Sequence, residues 1–170
     1  GLADVGTVPG RFELVETAET TARGISVVVD YAHTPDGLDV LLTAARDIAD
    51  ARTIAVFGCA GRRDREKRPV MGEIASRLAD VAIATSDNPR GEDPDAIIDD
   101  VLAGVAPEYR ARVVAIADRR SAIGHAVSIA ETGDVVVIAG KGHETTQDLG
   151  SETIEFDDRR VVHDELKGTP

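Results

Sequence analysis

Four polar segments concentrate the side chains capable of chemistry: Tyr31-Ala-His-Thr-Pro-Asp36, Gly58-Cys-Ala-Gly-Arg-Arg-Asp-Arg-Glu-Lys-Arg-Pro69, Ser86-Asp-Asn-Pro-Arg-Gly-Glu-Asp93 and Gly140-Lys-Gly-His-Glu144. The second is the densest, with Arg62, Arg63, Asp64, Arg65, Glu66, Lys67 and Arg68 following Gly58 and Gly61. A planar guanidinium donates two parallel hydrogen bonds to a carboxylate or phosphate, and glycine lets a ligand approach the backbone, so this loop suits an anion. It equally reads as a solvated charged loop whose ion pairs are worth at most ~1 kcal/mol each. In the third segment Asp87, Asn88 and Arg90 set an acceptor, a two-way amide and a cation around Pro89, which complements a zwitterionic amino acid. An Asx-turn with Arg90 exposed is the plainer alternative. The fourth offers two close-approach glycines, Gly140 and Gly142, and the Glu144 carboxylate, or else a tight turn with Lys141, His143 and Glu144 facing solvent. In the first, Asp30 ends an apolar run and His33 stands two residues before Pro35; either meets a ligand or caps the helix that begins there.

These segments need elements to hold them. Short β-branched runs occur at Ser26–Asp30, Thr53–Phe57, Val81–Thr85, Val113–Ala117 and Val135–Ala139, and four of them are nearly continuous apolar tracts, the pattern of parallel strands buried on both faces. Helical spacing recurs between them, at Leu38, Leu41, Leu42, Ala45 and Ile48, at Ile97, Val101, Leu102 and Val105, and over 68–79 and 121–131. The alternation predicts a Rossmann-like, doubly wound α/β fold with a mostly parallel sheet flanked by helices. Residues 11–16 read as an extra edge strand, 153–156 as a short strand and 157–166 as a closing helix capped by Asp157 or Asp158. All four polar segments then open on the carboxyl edge of the sheet, where such folds bind ligands.

Composition narrows the function. The chain has 170 residues, 19 basic and 31 acidic, a net charge of −12, with three Phe, two Tyr and no Trp. One domain of this size buries roughly 70% of its unfolded surface, enough for a core without staples. An acidic chain without stacking rings argues against nucleic acid as a partner. No apolar run approaches the ~18 residues of a membrane span, and the single Cys59 suits a reducing, cytoplasmic compartment. Neither a Gly-x-x-x-x-Gly-Lys-[Ser/Thr] phosphate loop nor a Gly-x-Gly-x-x-Gly fingerprint occurs, and His33, His125, His143 and His163 lack metal-site spacing. His125 and His163 read as packing or surface residues. Residues 1–10 read as a linker and 11–168 as the domain.

Taken together, Gly10-Arg-Phe12, Asp30-Tyr-Ala-His-Thr-Pro35, Phe57 through Pro69, Asp87-Asn-Pro-Arg90 and Gly140-Lys-Gly-His-Glu144 resemble, in order, the motifs of the C-terminal domain of the Mur ligases. The basic loop departs from the usual Gly-Gly-Asp-Arg-Asp-Lys-Gly-Lys-Arg-Pro at Ala60, Arg62, Arg65 and Glu66. The resemblance implies ATP-dependent amide formation through an acyl phosphate, shared among three domains. A first domain would hold a UDP-N-acetylmuramoyl dipeptide, a central ATPase domain, preceding the linker, would hold ATP and Mg2+, and this one would bring the amino acid. It further implies that Arg63, Asp87, Asn88, Arg90, Gly140 and Glu144 bind the amino acid, that Arg11, Asp30 and His33 touch ATP, and that this domain holds no metal. Catalysis would come mainly from placement, with Asp30 or His33 available to assist. The Asp-Asn-Pro-Arg form is the one the family uses for meso-diaminopimelate, whose distal carboxylate would pair with Arg90. A family member adding L-lysine or another amino acid, a non-catalytic module binding a small zwitterion and a purely structural interaction domain are the alternatives. The fragment alone is expected to be inactive.

Overall fold

A computed structural model describes residues 8–168. Of the expected linker, residues 1–7 lie outside the described residues, while Gly10 is buried against the backbone of Gly142 and His143. The chain runs β1 (Glu13–Leu14), α1 (Ala18–Arg23), β2 (Ser26–Asp30), α2 (Pro35–Ile48), β3 (Thr53–Cys59), α3 (Lys67–Leu78), β4 (Val81–Ser86), α4 (Pro94–Leu102), a 3-10 turn (Pro107–Arg112), β5 (Val113–Ala115), α5 (Arg119–Ile129), β6 (Val135–Ala139), β7 (Thr146–Asp148), β8 (Thr153–Glu155) and α6 (Asp158–Gly168). The main sheet has the order β1-β2-β6-β3-β4-β5, with every pair parallel except β1 on β2.

Period-two alternation in the strands splits the core into two layers. Val28, Ala55, Phe57, Ala82, Ala84, Val137 and Ala139 face α2, α3 and α4, where Leu38, Leu42, Met71 and Val101 meet them. Val27, Val29, Ile54, Val56, Ile83, Val136 and Ile138 face α5 and α6 with Ile123, Val127, Val162 and Leu166. Each fully buried aliphatic side chain of this kind contributes about 1.5–3 kcal/mol. No described helix is long and apolar enough to cross a membrane.

Several local expectations differ. Thr34, not Asp30 or His33, caps α2, accepting from the Gly37 amide at 3.1 Å. The strand near residue 153 pairs antiparallel with β7 in a separate hairpin instead of joining the main sheet. That hairpin's first strand was too short and polar to be read from the pattern, as was α1, which rests on a capping box between Thr17 and Thr20. Asp157 caps α6 through the Arg159 amide, which frees Asp158 for another task.

That task is Arg119. The guanidinium and the Asp158 carboxylate are both fully buried and paired by two hydrogen bonds of 2.8 and 2.7 Å. Arg119 also donates to the carbonyls of Ser86 and Ala139, the last residues of β4 and β6, each at 3.1 Å. The pair therefore ties α5, α6 and two non-adjacent strands at the carboxyl edge of the sheet. Asp158→Ala, which orphans the buried cation, is expected to lower the stability of the chain by about 3–5 kcal/mol in urea denaturation.

Candidate active site

The loops after β2, β3, β4 and β6 meet at this edge and enclose a cleft of about 510 Å3 lined by Tyr31, His33, Thr34, Ala60, Arg63, Asp64, Lys67, Asp87, Asn88, Arg90, Gly140 and Glu144. Arg63, Asp87, Asn88, Arg90, Gly140 and Glu144, the six residues singled out for an amino acid, all stand on its wall. A neighbouring cleft of about 490 Å3 is lined by Arg11, Phe12, Asp30, Ala32, Val40 and Leu41, among others, and shares Tyr31, His33 and Thr34 with the first. It therefore collects the three residues singled out for ATP.

The floor of the first cleft is set by the turn after β4. Asp87 and Asn88 are buried, so neither is a solvated turn residue. No described residue donates a hydrogen bond to the Asp87 carboxylate, and burial pushes its pKa upward, against the pull of nearby Arg119 and Lys141. A buried carboxylate with no donor of its own gains from any cation brought beside it. Gly140 lies beside it at φ +118°, a backbone region left to glycine, and a Cβ there would sit 2.9 Å from Asp87 Oδ2.

The reading in which Lys141 faces solvent is overturned: Lys141 is fully buried and its Nζ donates to Asn88 Oδ1 at 3.3 Å, Glu144 Oε2 at 3.0 Å and the Thr146 carbonyl at 2.6 Å. The Asn88 amide in turn donates to Glu144 Oε2 at 3.2 Å. His143 is exposed. The β7–β8 hairpin braces the same turn. Gln147 donates to the Asp87 carbonyl at 2.7 Å, the Asp148 amide to Asn88 Oδ1 at 2.9 Å, and the Arg90 amide to the Asp148 carbonyl at 3.0 Å. These braces hold Arg90 at φ +52°, which turns its side chain out of the strand direction onto the cleft wall.

The basic loop divides between structure and ligand. Arg68 is fully buried and spends its guanidinium on Glu92 (2.7 and 2.9 Å), Asp100 (2.9 Å) and the Ala60 carbonyl (3.3 Å). Its hydrogen bond to Glu92 holds that carboxyl at a pKa of about 2. Glu92 also accepts from the Arg62 amide, and the Gly61 amide donates to the Asn88 carbonyl at 2.8 Å, so the loop is packed onto the Asp87–Arg90 turn. Arg63, Asp64 and Lys67 remain on the cleft, Lys67 donating to the His33 carbonyl at 2.7 Å across the shared wall.

In the second cleft both oxygens of Asp30 are already engaged, by the Phe12 and Ala32 amides at 2.7 Å each. Asp30 thereby fastens the Gly10–Phe12 segment and sets the Arg11 guanidinium over the Tyr31 ring, 5.0 Å from its centre. Tyr31 also meets His33 edge-on at 4.6 Å between ring centres. Apolar Phe12, Ala32, Val40 and Leu41 line the cleft beside this cationic, aromatic rim. No group of three His, Cys, Asp or Glu side chains among the described residues is arranged to hold a metal ion.

Residues 10–142 match the family described as "Mur ligase, glutamate ligase domain", and the chain belongs to it. It is 52% identical over 167 residues to the UDP-N-acetylmuramoyl-L-alanyl-D-glutamate–2,6-diaminopimelate ligase of Syntrophomonas wolfei, a match covering 98% of this chain and 33% of that protein. A solved structure of a ligase of the same name superposes with a TM-score of 0.85 at 41% identity, covering 96% of this chain and 32% of the other. The Mycobacterium tuberculosis folylpolyglutamate synthase, solved with ADP and AMPPCP, superposes at 0.54 with 25% identity over 79% of this chain and 30% of its own. The chain thus spans about a third of the length of the relatives it matches.

Two outcomes follow from this geometry. Gly140→Ala is expected to cost about 1–3 kcal/mol in urea denaturation, because it strains the backbone and crowds Asp87. Glu92→Gln should lower stability, and the margin has a pH signature. A carboxyl depressed from 4.5 to about 2 contributes stability that is fully present above pH 4.5 and is lost as the pH falls through about 2. Urea unfolding of parent and variant across that range should show the two curves converging at the acid end.

Proposed function

We propose that this chain is the amino-acid-adding, C-terminal domain of an ATP-dependent ligase that joins meso-diaminopimelate to UDP-N-acetylmuramoyl-L-alanyl-D-glutamate in peptidoglycan precursor synthesis. The observation that carries the reading is a single cleft lined by three carboxylates, Asp64, Asp87 and Glu144, and three cations, Arg63, Lys67 and Arg90. Diaminopimelate bears two ammonium groups and two carboxylates, and the cleft presents complementary charges for both. In this reading Asp87, Glu144 and the Asn88 amide take an ammonium group, Arg63 and Arg90 take the carboxylates, and Gly140 leaves room over Asp87. L-lysine lacks the distal carboxylate and leaves one arginine without a partner.

The second cleft takes the nucleoside end of ATP against Arg11, Asp30 and His33. The phosphates, Mg2+ and the UDP-sugar dipeptide are held mainly by the rest of the ligase chain, and the domain alone does not turn over. The acceptor carboxylate is first activated as an acyl phosphate, its oxygen taking the γ-phosphoryl group of ATP as the bond to ADP breaks and ADP leaves. The amine, after losing a proton to solvent or a nearby base, attacks the acyl carbon, and the amide forms as phosphate leaves. This domain contributes placement: holding the amine in line supplies up to ~7–11 kcal/mol of a barrier of this kind, and closing the cleft keeps water from the acyl phosphate. A cytoplasmic location accords with an enzyme that consumes ATP and UDP-linked precursors.

The test is ATP-dependent phosphate release by the full-length ligase, supplied with the UDP-linked dipeptide and either meso-diaminopimelate or L-lysine. Turnover with diaminopimelate alone is expected. In that enzyme Arg90→Ala should raise the KM for diaminopimelate about tenfold or more and leave the KM for ATP unchanged, as befits loss of a charge-assisted hydrogen bond. Turnover with lysine overturns the specificity. No turnover with any amino acid, together with ligand binding by the isolated chain, favours a zwitterion-binding module.

A further inference from the structure

Lys141 is fully buried but does not line the cleft; it lies behind Asn88 and Glu144, which do. We propose that Lys141 is a positioning residue for amino-acid recognition. Its ammonium fixes the orientation of the Asn88 amide and the Glu144 carboxylate, and through them the affinity of the cleft for the ammonium end of the incoming amino acid. The inference rests on the reading of this cleft as the amino-acid site.

An ammonium has three donors and no acceptor, and Lys141 spends one on each of Asn88 Oδ1, Glu144 Oε2 and the Thr146 carbonyl. None remains for a ligand, so Lys141 acts only through its neighbours. The two ends of a primary amide have the same shape, and their partners decide which way it points. Asn88 Oδ1 receives both Lys141 and the Asp148 amide, while Nδ2 donates to Glu144. A flipped amide would set its NH2 group against two donors and its oxygen against a carboxylate. Glu144 Oε2 is doubly occupied, by Lys141 and Asn88, whereas Oε1 accepts from no described residue. That oxygen is what the carboxylate retains for a ligand cation.

A buried ammonium is costly to desolvate, and an apolar residue of similar size often serves stability as well or better. Here the charge sits where two cleft residues need it. Its sequence neighbours Gly140 and Gly142, at φ +118° and +53°, give the turn that sends the side chain inward beneath Asn88.

In the full-length ligase, Lys141→Met is expected to raise the KM for the amino acid at least about tenfold, while kcat at saturation and the KM for ATP stay within about threefold of the parent. The substrate used is whichever of meso-diaminopimelate and L-lysine the enzyme turns over. In a Glu144→Gln background the same substitution should change that KM much less, because its target is already altered. Should Lys141→Met fail to accumulate, Lys141→Gln keeps a donor for the Thr146 carbonyl without the charge and carries the same comparison. A lowered Tm with an unchanged amino-acid KM, or strictly additive effects in the two backgrounds, would overturn the proposal. Asn88→Ala and Arg90→Ala separate the two levels. If they raise the KM and the Lys141 variants do not, the positioning role alone falls; if they also leave it unchanged, the reading of the cleft falls and takes the role with it.

Discussion

The site depends on one buried ion pair. Arg119 and Asp158 are removed from water altogether, a burial that is tolerable only because the guanidinium also satisfies the carbonyls that end β4 and β6. Those carbonyls belong to the residues just before Asp87 and Gly140, so one side chain links the two turns directly, in addition to the pairing of both strands with β3. β3 separates the two strands in the sheet, and no ladder hydrogen bond fixes one to the other. The same cation, with Lys141, lies close enough to oppose the rise that burial imposes on the Asp87 carboxyl.

Above that pair, the charged residues divide into those paired within the fold and those that stand on the cleft wall without a close partner. Arg68 and Arg65 offset the charges of Glu92 and Asp100 and pin the basic loop onto the turn after β4. Lys141 is spent on its neighbours. Among the described residues, the charged groups of Arg63, Arg90 and Asp87 have no partner closer than the 3.8 Å contact between Arg90 and Asp148. This division explains how an acidic chain keeps a cleft of mixed sign: the paired charges are buried or on the loop flanks, and the unpaired ones are held apart by backbone braces.

The two clefts share Tyr31, His33 and Thr34, so an occupant of one contacts residues that bound the other. Lys67 spans the wall to the His33 carbonyl. The two clefts are thereby bounded by one segment that follows β2. The Gly10–Phe12 segment, folded back onto Gly142 and Asp30, completes the second cleft from outside the βα repeat.

The strand and helix order, the parallel sheet and the four loops at its carboxyl edge were legible in the sequence, because buried parallel strands carry continuous apolar runs and helices carry 3.6-residue spacing. The ordered loop motifs were legible too, and they were enough to single out residues that fall into two adjoining clefts. Residue type and spacing alone do not say which charges within the basic run line the cleft; only the family resemblance singles out Arg63. Arg63 and Arg68 are equivalent as letters, and only the packing of α3 against α4 sends one to the cleft and the other into Glu92 and Asp100. The residue pattern leaves Lys141 free to face solvent, offers Asp158 only as a helix cap, shows one strand of the β7–β8 hairpin, and gives no sign of the role of Arg119. Their partners lie between 20 and 60 residues away along the chain, at positions that periodicity does not relate. Burial of a charge is decided by whether a partner and two or three carbonyls converge on it in three dimensions, and that convergence exists only once the sheet has formed.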